Sequence, residues 1–195
     1  MQPFHLFSTV IWGSVLFAAL VSISAGADDK PAPKAERFTY RVYGLFAPDR
    51  ESDLKEAFKG IPEVKLVAVS FKDAEITVEF VAATAFPGAK PAQLVERLDQ
   101  KLRSETRSTF AVGPQLTIAR DKLKEVVIPV VGLDCKACSL AAYEIVARLE
   151  GVAQATASFK DGKVTALIDP TKTEQSKLEE ALRKRGVQLV KPAAK

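Results

Sequence analysis

The chain has two cysteines, Cys135 and Cys138, and both lie in GLDCKACSLAAYEIV, Gly132–Val146. Thiolates are nucleophiles and soft metal ligands. A pair at this spacing supports three chemistries: a clamp on one soft ion, thiol–disulfide exchange, or a structural disulfide. Copper(I) and mercury(II) accept two such ligands, whereas zinc prefers four and would need Asp134 plus water or a partner's residues. A helix opening at this motif puts Cys138 at or just inside its N-terminus, where unpaired amides and the dipole favour an anion and lower a thiol pKa. Lys136, between the sulfurs, adds positive charge.

The flanking sequence specifies what holds the pair. EVVIPVVGL before it is an apolar, β-branched run and reads as a strand, with Pro129 suggesting an edge or end position. After it, Ala141, Ala142, Ile145, Val146 and Leu149 follow helical spacing up to Gly151. VAQATASF and KVTALID are two strands joined around Lys160-Asp161-Gly162, where Asp-Gly suits a turn with positive φ at both positions. Leu178, Ala181 and Leu182 mark a second helix, and VQLV a last strand.

The same order occurs earlier. Gly44-Leu45 and Gly132-Leu133 stand 88 residues apart, and so do the two copies of SFKD, Ser70–Asp73 and Ser158–Asp161. Two matches at one offset indicate an internal duplication. In the first half FTYRVYGL is a strand, and Leu54, Ala57, Phe58 and Ile61 form a helix face. VKLVAVSF and EITVEFVA form a hairpin, Leu94, Val95, Leu98 and Leu102 a second helix, and TFAVGPQLTI a closing strand. ATAFPGAKPA is an extra loop. The expected class is α+β: two tandem ferredoxin-like βαββαβ domains, each an antiparallel four-stranded sheet with two helices on one face. The expected limits are a first domain over 37–119, a charged linker over 120–124 and a second domain over 125–191.

Residues 1–27 contain no Lys, Arg, Asp or Glu, and an apolar run from Leu6 to Ile23 is followed by small residues. This reads as a signal peptide cut after Ala27, with export to the periplasm or the extracellular space; the alternative is an N-terminal membrane anchor. A Pro/Ala/charge linker fills 28–36. His5, Met1 and Trp12 all fall in the signal, so the mature chain has no imidazole or thioether. Ser-His-Asp and Cys-His catalytic sets are excluded, and the chain reads as a non-enzyme. The net charge of +4 is spread along the sequence without a dense basic block, which argues against a nucleic-acid partner.

With this motif and element order, the segment from Lys124 to Lys191 resembles the heavy-metal-associated domain. That family includes metallochaperones, N-terminal modules of metal-exporting P-type ATPases and periplasmic mercury-binding proteins. Its motif, Gly-Met-Thr-Cys-x-x-Cys, stands here as Gly132-Leu133-Asp134-Cys135-Lys136-Ala137-Cys138. The resemblance implies a metal site on Cys135 and Cys138, with Leu133 filling the place of the Met under the loop. Asp134 in place of Thr resembles the zinc, cadmium and lead type, where the carboxylate joins the sulfurs. The implied cargo is a heavy-metal ion (zinc, cadmium, copper(I) or mercury(II)), taken up and handed on to a metal-transporting membrane protein or another metal-binding domain. The first half has Ala47 and Arg50 where the offset places the cysteines, and reads as a degenerate repeat without ligands.

The alternative is a thiol–disulfide or disulfide-closed interaction module without metal, since an exported CxxC meets an oxidising compartment. Against a thioredoxin-like enzyme, the helix is followed at once by a hairpin, where that fold needs a longer α/β order. Against a purely structural clip, the first half manages without cysteines.

Overall fold

The computed structural model describes residues 34–190. The expected export signal or anchor, the cleavage site and most of the first linker lie outside the described residues. Among the described residues no helix is long and apolar enough to cross a membrane.

The first half runs β1 (Glu36–Tyr43), α1 (Arg50–Lys59), β2 (Lys65–Ser70), β3 (Glu75–Phe80), α2 (Ala82–Ala85), α3 (Leu94–Thr106) and β4 (Ala111–Gly113). The second runs β5 (Lys124–Val131), α4 (Lys136–Ala147), β6 (Val152–Ser158), β7 (Lys163–Ile168), α5 (Gln175–Lys184) and β8 (Gln188–Leu189). The sheets have strand orders β2-β3-β1-β4 and β6-β7-β5-β8, all antiparallel. Adding four to each strand number of the first sheet gives the second, so the two halves share one ferredoxin-like topology. The SFKD copies also share their turn chemistry: the Ser70 hydroxyl accepts from the Asp73 N–H, and the Ser158 hydroxyl from the Asp161 N–H.

Period-two alternation positions the strands. On β5, Val126, Ile128 and Val130 point into the second core, where Val146 of α4 and Leu178 and Leu182 of α5 are also buried. On β1, Tyr40 and Val42 point into the first core with Leu54, Leu98 and Leu102. Arg41 and Tyr43 leave β1 on the opposite face, and there they meet the second half.

That seam is made of specific contacts. A terminal nitrogen of Arg41 donates to the Ala147 carbonyl at 3.2 Å, and the Gly44 N–H donates to the Tyr143 hydroxyl at 2.9 Å. The Ala157 N–H donates to the Phe46 carbonyl at 3.0 Å, and the Gln154 side-chain amide to the Phe71 carbonyl at 2.6 Å. Ala157 and Gln154 belong to β6, the edge strand of the second sheet, so the first half covers an edge that would otherwise present open backbone groups.

Several elements depart from the sequence expectation. The closing strand of the first half is only three residues long, because Pro114 has no N–H to continue the ladder. The last strand is two residues long. ATAFPGAKPA is partly α2, and Ala85 and Phe86 are buried, with the Phe86 ring edge-on to Phe80. Pro129 lies in the inner strand β5, not at an edge; its carbonyl accepts from Val190 N–H on the β8 side, where the missing proline donor meets only that short strand. In the β6–β7 turn only Gly162 has positive φ (+58), so Asp161 does not need it. On α4 the buried side is Ser139, Ala142, Tyr143, Val146 and Ala147, and Ala141 faces solvent.

Candidate metal centre

The loop between β5 and α4 is pinned at one point. Gly132 takes φ +79, and Leu133 turns under the loop to sit 6% exposed in the second core. Everything between Leu133 and Cys138 then faces outward. Cys135 is the N-cap of α4: its Sγ accepts the Cys138 N–H at 3.2 Å, and its carbonyl accepts the Ser139 N–H at 3.0 Å. A thiol thus stands where Ser or Asp more often satisfies an unpaired helical N–H. Cys138 lies one turn in, half-buried, with its Sγ 2.6 Å from that of Cys135.

The electrostatics separate the two sulfurs. Hydrogen bonds from the Cys138 thiol and then from the Cys138 N–H lower the Cys135 pKa; the nearby Asp134 carboxylate opposes this more weakly. Cys138 is raised, first by its contact with the Cys135 sulfur and then by burial. The lowered thiol is therefore Cys135, the helix cap, and not Cys138 as the motif's position in the sequence suggested. The capping residue presents its sulfur to the free amides, whereas Cys138 spends its own N–H on that sulfur.

Asp134 is exposed beside the pair. Among the described residues no three His, Cys, Asp or Glu side chains gather around a point that could hold an ion. The structure brings the two sulfurs together and leaves Asp134 free to turn. Lys136 does not add its charge to the sulfurs as expected: its ammonium reaches Asp49 of the first half at 3.0 Å.

Four residues packed along α4, at this site or at its far end, had no place in the sequence as functional candidates. Phe46 is 5% exposed and belongs to the second core, although it lies in the first half. Its ring lies 6.2 Å from that of Tyr143, whose hydroxyl pKa burial pushes up to about 12. Asp49 anchors Lys136, and Arg41 crosses to the end of α4. The available signal was Phe46 at the offset position of Asp134, an apolar residue where the second half places a solvent-facing carboxylate. Asp169 is 9% exposed and accepts from the Thr171 N–H and hydroxyl.

Comparison with known proteins gives matches of three kinds. Residues 127–187 match the family model of the heavy-metal-associated domain. Copper-transporting ATPase 1 of Rattus norvegicus is 24% identical over 206 residues, covering 98% of this chain. The chain spans only 14% of that relative's length. Among solved structures, a CopZ metallochaperone is 24% identical over 34% of this chain and all of its own, with a TM-score of 0.33. Oxidised MerP from Ralstonia metallidurans CH34 is 25% identical over 35% of this chain and 94% of its own, with a TM-score of 0.33. The N-terminal soluble domains of Bacillus subtilis CopA are 19% identical over 82% of this chain and 95% of theirs, with a TM-score of 0.33. The matched segment begins inside β5, contains the whole cysteine loop and ends just before β8; residues 127–187 of this chain are a heavy-metal-associated domain.

Proposed function

We propose that the chain is an exported carrier that takes one soft metal ion on Cys135 and Cys138 and passes it on by thiolate exchange. The observation that carries this reading is the placement of two solvent-accessible sulfurs at the first turn of α4, one of them capping the helix. The match of residues 127–187 to a heavy-metal-associated domain supports it, as does the similarity to a copper-transporting ATPase. Two sulfurs about 2.3 Å from one ion stand roughly 4 Å apart. Rotation of two side chains on an outward-facing loop opens them to that span.

A site of two ligands suits copper(I) or mercury(II), and zinc or cadmium would recruit Asp134 and water to complete their shells. An open, low-coordinate ion is accessible to an incoming thiolate, so transfer needs no unfolding of the donor loop. The recipient in this reading is a metal-transporting membrane protein or another metal-binding domain. The protein moves its ion without converting a substrate.

A second reading, a redox-active or disulfide-closed module, draws on the contact between the sulfurs and their unequal acidity. Thiol titration of protein recovered anaerobically from its own compartment, together with elemental analysis, separates the two. Thiols released by a chelator, with stoichiometric metal, support the carrier. Thiols released only by a reductant support the disulfide. The C135S/C138S double variant is expected to lose at least a hundredfold in affinity for copper(I) and mercury(II). Undiminished binding would overturn the site.

A further inference from the structure

The other end of α4 carries a feature that metal binding does not use. We propose that the seam between the halves holds a binding site for a carboxylate or phosphate oxyanion, centred on the Arg41 guanidinium. Arg41 is 8% exposed, and among the described residues no carboxylate lies within ion-pair distance of it. Buried charges are ordinarily paired, because an unpaired one keeps its desolvation cost.

The partners present do not neutralise it. One terminal nitrogen reaches the Ala147 carbonyl, and the guanidinium lies 4.5 Å from the centre of the Tyr43 ring. The Nε–H is buried with no acceptor. A helix C-terminus supplies only about half a negative charge. The Arg148 guanidinium approaches the same Tyr43 ring at 5.4 Å, so two cations share one aromatic side chain.

A cavity of about 310 Å³ opens beside them, and Arg41, Tyr43, Arg148, Lys172, Glu150 and Asp169 are among its lining residues. The Asp169 carboxylate already accepts twice from Thr171. Arg148 has a loose, exposed contact with Glu144 at 3.7 Å, which a stronger acceptor could displace. Guanidinium groups recognise carboxylate and phosphate oxygens in pairs. Because a water occupies about 30 Å³ of liquid, the cavity has room for an organic anion as well as an inorganic one. An anion held there would touch both halves, since Arg41 and Tyr43 come from β1 and Arg148 and Lys172 from the second half. The twelve residues of α4 separate it from the sulfurs by about 18 Å.

The test is amide chemical-shift titration of the metal-free protein with sodium phosphate and, separately, sodium succinate, at ionic strength held constant with chloride. The expected result is saturable one-to-one shifts at Ala147, Gly151 and Lys172 with at least one of the two probes. Phosphate alone assigns a phosphate-bearing ligand, and succinate alone a carboxylate. R41M, which keeps an apolar stem in the seam, and R148A, which changes an exposed side chain, should each weaken binding at least tenfold. C135S/C138S should bind the anion unchanged, which keeps this test separate from that of the metal reading. Shifts that grow without saturating for both probes, or saturable shifts that R148A leaves unaltered, would overturn the proposal even if R41M fails to fold.

Discussion

The loop Gly44–Arg50 and the loop Gly132–Cys138 begin alike and end in different chemistry. Each starts with a glycine at positive φ, +100 in the first and +79 in the second. Each then buries a leucine, Leu45 at 1% and Leu133 at 6% exposure. One residue later they part. Asp134 faces solvent, whereas Phe46 enters the core of the opposite half. Where the second loop has Cys138, the first has Arg50, whose guanidinium lies over the Phe46 and Phe110 rings and pairs with Asp53. One strand-to-helix loop, anchored by the same two residues, thus presents an open thiol pair in one half and a plug in the other. The loop's backbone does not dictate what the loop presents; the residues after the leucine do.

The sharpest way to break this comparison is at the plug. Phe46→Ala removes a ring from a core to which its own half contributes little else, and large-to-small changes of this kind cost about 3 kcal/mol or more. Asp134→Ala, at the matching position, should change stability by less than about 0.5 kcal/mol because it empties no packed space. Urea unfolding of both variants measures the difference. A Phe46→Ala loss below about 1 kcal/mol would mean that the seam is loosely held in solution.

The paired glycines sharpen the same contrast. A Cβ on Gly44 would stand 2.4 Å from the Thr109 carbonyl oxygen and 2.6 Å from the Phe110 ring, while one on Gly132 would meet nothing within 4 Å. Gly132→Ala therefore carries only the conformational cost of a positive φ, about 1 kcal/mol. Gly44→Ala adds a backbone collision and should exceed about 2 kcal/mol, with lost dispersion of the Phe110 and Tyr143 resonances as the local sign. Equal losses at the two positions would show that the Thr109–Phe110 segment yields without cost.

These two glycines also mark the limit of what the sequence disclosed. Their shared offset, with that of SFKD, was enough to derive the duplication and the strand order, because period-two and helical patterns are local and survive in each half. The cysteine pair and its seat at a helix start were legible for the same reason. The seam was not. Phe46, Arg41 and Tyr143 read as ordinary core or surface positions of their own halves, since nothing local in a sequence tells which of two sheets a side chain will meet. The acidity order of the two thiols was also hidden, because it follows first from the contact between the two sulfurs and then from which of them accepts the helix amide, and neither is local in the sequence.

The smallest expected effect lies where the two loops touch. Asp49 holds the Lys136 ammonium at 3.0 Å, but the side chains are 55% and 66% exposed, so the pair contributes no more than about 0.5 kcal/mol. The hydrogen bond from Lys136 lowers the Asp49 pKa below its ordinary value. A depressed carboxyl stabilises the fold above its unfolded pKa of about 3.9, and that contribution is lost as pH falls through the lower folded value. Asp49→Asn should thus lie slightly below the parent in stability at pH 7 and low salt. The two should converge in about 1 M salt, where screening shortens to roughly 3 Å, and again at the acid end of the titration. Stability curves against pH and salt measure this directly. A gap that persists in high salt would mean that Asp49 acts through the packing of its loop and not through its charge, because screening removes a Coulombic contact between exposed groups and leaves a steric one untouched.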